Sequence, residues 1–133
     1  MPKRDDDGAA AVEFALLVPI FAAILFGIIE FGWYFWTAET TNGAARETAR
    51  RVVVGDCWDS GAATTFAKRQ APQLTGNVAW SPAPSTSLNP GDTITVTLTS
   101  DAGLINFIPG LPDTVTREYQ ARMEFTENSG ACP

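Results

Sequence analysis

Residues 9–36 read AAAVEFALLVPIFAAILFGIIEFGWYFW, an apolar stretch whose only charges are Glu13 and Glu30. The uncharged part, residues 14–29 extended through 31–36, reaches the roughly 20 residues that a bilayer-spanning helix needs. At about 1.5 Å per residue, Glu13 and Glu30 stand on the order of 26 Å apart along such a helix, close to the thickness of the hydrocarbon layer. The two carboxylates are therefore expected near opposite interfaces. Trp33, Tyr34 and Trp36 follow Glu30, where amphipathic rings form an aromatic belt at a membrane surface. Pro19 lacks an N–H and crowds the carbonyl one turn back, so it is expected to kink or loosen the helix, which membrane helices tolerate. A cleaved secretory signal fits poorly. Its apolar core runs to roughly 7–15 residues and ends in small side chains, whereas this stretch is longer and ends in bulky aromatics.

The remainder is small, roughly 75–90 residues in its soluble part, a size at which one hydrophobic core is only marginally sufficient. A formal charge of −6 and the lack of a lysine or arginine stripe argue against nucleic acid as a partner. The chain has no histidine, which removes the commonest metal ligand and proton shuttle and most nucleophile–base pairs. No catalytic residue, metal site, cofactor or small-molecule substrate is expected. Asp56 and Asp59 lack the ligand ladder and closing glutamate of a calcium loop. Cys57 and Cys132 are too far apart for a redox or zinc pair. In an oxidising compartment they would form a disulfide, worth roughly 4 kcal/mol on the chain-entropy model; in the cytoplasm they would be two unpaired thiols.

A short polar leader, MPKRDDDG, precedes the apolar stretch, and AAAVEF follows it. This arrangement resembles a type IV prepilin processing site, in which a peptidase cuts after a glycine and a glutamate occupies the fifth mature position. Here the resemblance implies Gly8 as the last leader residue, Ala9 as the new N-terminus and Glu13 as that glutamate. Cutting before Ala9 exposes an ammonium at the bilayer edge. A residue four further along a helix lies on the same side one turn away, so Glu13 can neutralise that amine in its own chain or in a neighbour. A charge at membrane mid-depth otherwise costs about 2.5–3.5 kcal/mol on insertion scales. The bland alternative for Glu13 is a carboxylate snorkelling to the headgroups.

The opening GAAAVEFALLVPIF, the ending GIIEFG, the segment AARETARRVVV and the late strand TREYQARMEFTE together resemble TadE-like proteins of tight-adherence (Tad/Flp) pilus systems. The major pilins of such systems usually carry Tyr after the glutamate and almost no globular region. Phe14 and a sizeable C-terminal part point instead to the minor, pseudopilin class. The resemblance implies a leader over residues 1–8, a membrane helix over 9–36 and an extracytoplasmic part over 37–133. It further implies a single-pass protein of the bacterial cytoplasmic membrane, with a prepilin peptidase, other pilin subunits and the pilus assembly machinery as partners; the N-terminus is expected inside because the two cysteines favour an oxidising compartment for the C-terminal part. The positive-inside count is itself indecisive, with Lys3 and Arg4 before the span and Arg46, Arg50 and Arg51 after it. Ala23 and Gly27, four apart, offer a small-residue face for lateral packing of helices. The alternative function is a membrane-anchored binding module unrelated to pili, with the glycine–glutamate spacing accidental.

After the aromatics, Ala45, Ala49, Val52 and Val53 recur at helical spacing against Arg46, Glu47 and Arg50, so the helix is expected to continue outward to near Gly55, with Gly43 a point of flexibility. A short helix over 62–70 is ended by Pro72. Residues 77–80 form a possible short strand, and 81–91 read as a proline- and serine-rich loop. Alternation with period two predicts strands over 93–99 and 114–127, the second with Val115, Tyr119, Ala121, Met123 and Phe125 on one face and Arg117 interrupting it. The segment AGLINFIPGLP between them is more apolar than a solvated loop. It reads either as a cover over the core or as a docking patch for a subunit or membrane. The expected fold class is α+β: a long N-terminal transmembrane helix carrying a small antiparallel sheet packed on its outer half, a pilin-like arrangement.

Overall fold

In the computed structural model, which describes residues 6–54, 60–82, 88–105 and 107–124, the elements run α1 (Asp6–Val53), α2 (Ser60–Gln70), β1 (Ala79–Ser81), β2 (Thr93–Asp101) and β3 (Thr114–Arg122). The proposed Cys57–Cys132 pair and the Asp56 and Asp59 positions lie outside the described residues. So do Gly55 and Phe125.

α1 is one continuous helix. It passes through Pro19 without a break in helical assignment, and equally through Gly43. Its first half is apolar on every side and largely exposed, from Val12 at 62% to Ile29 at 50%. A helix that is hydrophobic all round and left largely uncovered by its own chain needs an apolar solvent. Its length and composition suffice to cross a membrane.

The second half behaves as a soluble helix. Thr37, Ala38, Thr41, Ala44, Ala45, Thr48, Ala49, Val52 and Val53 are buried, a stripe at helical spacing that begins two turns before the stripe expected from sequence. Its small side chains bring the sheet close to the helix axis. Of the stripe's threonines, Thr41 is satisfied on both sides: its Oγ1 lies 2.7 Å from the Thr37 carbonyl oxygen and 2.7 Å from Ser100 Oγ of β2, whereas the Thr37 and Thr48 hydroxyls are buried without a partner among the described residues.

The sheet is antiparallel, in the order β1-β2-β3. β2 is central and longer than expected, ending at Asp101, and it turns Ile94, Val96, Leu98 and Ser100 onto the helix, all buried. β3 alternates as expected, with Val115, Arg117, Tyr119 and Ala121 facing inward to varying degrees and Glu118, Gln120 and Arg122 outward. Arg46 of α1 stands 5.7 Å over the Tyr119 ring, and Arg51 stands 4.3 Å over Phe66 of α2, so these long side chains cover the rim of the core. β1 spans Ala79–Ser81, slightly later than the expected strand. α2 begins at Ser60, and its buried Thr64 hydroxyl accepts the Val78 N–H at 2.9 Å. The end of α1 is satisfied by tertiary contact, its Val53 carbonyl accepting the Glu124 N–H at 3.1 Å, with Arg50 and Arg51 complementing the helix dipole. The Arg50 hydrogen bond to Glu47 holds that carboxyl below its ordinary value. This minor contribution is present above the unfolded value of 4.5 and is lost as pH falls through the lower folded one.

Gly43 is exposed in the middle of the packed half of α1, and a Cβ placed there would meet nothing within 4 Å. Gly43→Ala is therefore expected to stabilise the protein by up to about 1 kcal/mol, through helix propensity alone. The measurement is denaturant unfolding of the detergent-solubilised chain; a loss of stability would show that this glycine serves something other than a straight helix.

Candidate functional site: the membrane helix and the loop seated on it

Three features of α1 bear on function. At its start, Gly8, Ala9 and Glu13 are all exposed on regular helix. Ala9 and Glu13 are four residues apart and so lie on one side of the helix, one turn from each other.

The second feature is Glu30, which the sequence places near an interface. In the fold it is almost completely buried by protein, 1% exposed. The segment from Ala102 to Pro112 folds back along α1 and covers it. Glu30 Oε1 accepts the Phe107 N–H at 3.1 Å, and Oε2 accepts the Ile108 N–H at 2.7 Å. A carboxylate with both oxygens on backbone donors is a charge-assisted clamp between elements nearly eighty residues apart in sequence. The loop is closed at its base by the Ala102 N–H donating to the Asp113 carbonyl at 2.8 Å, and its first turn by the Gly103 N–H donating to Asp101 Oδ1 at 2.8 Å. Gly103 has φ +60, and a Cβ on it would stand 2.8 Å from Trp33 Nε1. Both the left-handed backbone and the indole's approach require glycine there.

The third feature is the aromatic cluster, which the fold divides. Trp33 and Trp36 remain about half exposed with ring centroids 5.0 Å apart, as a membrane-surface belt would be. Tyr34 turns inward and, like Leu104, packs half-buried against a small cluster of Ala38, Ala102 and Val115. Phe26 meets Phe107 at 5.5 Å between centroids. Gly27 is half-covered by Ile108, whose Cδ1 lies 3.9 Å from the position a Cβ would take. The small-residue face expected at Ala23 and Gly27 is thus partly occupied by the chain's own loop. The cover reading of AGLINFIPGLP holds for Leu104, Ile108 and Leu111, which are half-buried, but Ile105 at 66% and Phe107 at 48% remain exposed.

Residues 8–50 match the family model of TadE-like proteins. Over this segment the chain is similar to TadE-like proteins. The match ends just before the C-terminus of α1 and so takes in both halves of the helix, the apolar cylinder and the stripe that carries the sheet. It also contains the Gly8–Glu13 spacing and Glu30, though not the sheet or the loop that closes over Glu30. Neither a curated protein nor a solved structure matches the chain. The apolar half of the matched helix is a candidate membrane span.

Proposed function

We propose that this protein is a minor pilin or pseudopilin that takes part in assembling or priming a Tad/Flp-type pilus for surface adherence. It is inserted as a precursor in the bacterial cytoplasmic membrane with its N-terminus cytoplasmic and the sheet extracytoplasmic. A prepilin peptidase removes residues 1–8. The observation that carries this reading is the TadE-like match together with Gly8 and Glu13 at prepilin spacing on an exposed helix that runs unbroken to Val53. In this reading the chain has no chemistry of its own. Its apolar half is a lateral packing element for other pilin subunits and the assembly machinery, and the sheet is what it presents outside the membrane.

Glu13 then acts in assembly. The amine freed at Ala9 and the carboxylate one turn on are both withdrawn from water when helices bundle, and each offsets the other's desolvation, within one chain or between neighbours.

Mass spectrometry of the protein purified from its native host tests this. The expected N-terminus is Ala9, with Gly8→Leu retaining residues 1–8 and Glu13→Ala processed normally but absent from sheared pili. A native chain that keeps its first eight residues beside an active prepilin peptidase would overturn the proposal in favour of a membrane-anchored binding module.

A further inference from the structure

The loop between Asp101 and Asp113 has the properties of a membrane-inserted element rather than of a cover alone. Its sequence, AGLINFIPGLP, carries no charge, and charge returns only at the two exposed aspartates that bracket it. Two of its large apolar side chains, Ile105 and Phe107, stand exposed, the reverse of what water selects. These stand beside the lipid-compatible part of α1: Phe107 against Phe26, and Ile105 beside a cavity of about 180 Å³ walled by Ile29, Glu30 and Trp33.

Depth can be placed by helix rise. From Ala9 to Phe26 is about 26 Å along the axis, against about 30 Å of hydrocarbon. A helix entering the bilayer at Ala9 therefore still has Phe26 within the hydrocarbon, and any tilt places it deeper. Phe107, in ring contact with Phe26, lies at the same depth.

Backbone entering lipid must have its polar groups satisfied by protein. Protein acceptors serve four of the loop's amides, Phe107 and Ile108 through Glu30 and Ala102 and Gly103 through Asp113 and Asp101, while Pro109 and Pro112 have no N–H to satisfy. This gives Glu30 a physical reason to sit near the end of an apolar helix: it carries the acceptors that two loop amides need where the helix leaves the hydrocarbon.

We propose that Ile105 and Phe107 form a lipid-contacting foot. In this arrangement Ile105 and Phe107 insert among the acyl chains of the leaflet on the side of the sheet and hold the C-terminal domain against the bilayer surface. The occupant of this face is lipid because the patch is continuous with the apolar surface of the spanning helix itself. This inference rests on α1 spanning the membrane and not on the pilus assignment.

The test uses the full chain in phosphatidylethanolamine–phosphatidylglycerol vesicles containing a phospholipid with a diazirine on its acyl chain, with adducts mapped by tandem mass spectrometry after irradiation. Adducts are expected on Ile105 and Phe107 as well as on Phe26 and Ile29. The double variant Ile105→Ser, Phe107→Ser is expected to lose the loop adducts while keeping amide protection in β2 and β3. Adducts on the helix but not on residues 104–108 would overturn the inference while leaving the span intact. Crosslinks from 105 or 107 to a second copy of the chain in place of lipid would overturn it too, making the patch a subunit contact. A helix without adducts would remove the span and the foot together.

Discussion

Glu30→Ala is expected to release residues 107 and 108 from α1 and leave the sheet folded. Each hydrogen bond to a charged acceptor contributes about 1.5–3 kcal/mol, and losing the acceptor leaves two amides without partners in an apolar setting. Because the two bonds share one carboxylate their losses do not simply add. A combined loss of about 3 kcal/mol is expected, roughly a hundredfold in the local opening equilibrium. Glu30→Gln keeps one oxygen but turns a donor toward the other N–H, so about half of that loss is expected. Hydrogen exchange on the micelle-bound full chain reads this directly: the Phe107 and Ile108 amides should lose protection in the alanine variant, with β2 and β3 unchanged. If their exchange stays as in the parent, the carboxylate does not hold the loop. If the strands open with them, Glu30 is a global core residue and not a local clamp.

Leu98→Ala is expected to reduce the stability of the folded domain by about 2–5 kcal/mol, the range for truncating a fully buried leucine. Leu98 is 0% exposed at the middle of the central strand, between α1 and the rest of the core cluster. The helix face opposite it is alanine and threonine, side chains too short to move into the space left behind. For a domain of this size such a loss is a large share of the total stability, commonly 5–15 kcal/mol. Thr97→Ala, on the opposite face of β2, removes no core volume and is expected to cost under about 1 kcal/mol. Thermal or denaturant unfolding of the two variants side by side checks the pair. Equal effects would mean that the face assignment of β2 is wrong.

The face assignment itself was readable from period. Alternation in TITVTLT and in TREYQAR tells which residues turn inward, because a strand's side chains alternate strictly and only one face of this sheet meets a helix. The outer half of α1 was readable only in part. Ala45, Ala49, Val52 and Val53 mark a stripe, but Thr37, Thr41 and Thr48 belong to it as well and carry no hydrophobic signal. Thr41 is admitted because its hydroxyl reaches the preceding turn of its own helix and Ser100, contacts that no residue scale records. Tyr34 is a similar case. Its place among three other aromatics suggested the membrane surface, whereas the rotation of the helix relative to the sheet carries it inward.

Local chemistry by itself determined that residues 9–36 form an apolar helix long enough to cross a bilayer, that Gly8 and Glu13 stand at prepilin spacing, and that two alternating strands follow. Each of these depends on neighbours a few residues away, and the period of helix or strand converts sequence directly into geometry. What only the tertiary structure decided is the fate of Glu30 and of the apolar segment 102–112. A carboxylate at the end of a hydrophobic helix looks like an interfacial charge, and a greasy loop reads as either a cover or a docking patch, until the antiparallel pairing of β2 with β3 sends their connection back along α1. Glu30 then meets two backbone amides that sequence distance had hidden, since a backbone donor has no signature in the residue that bears it.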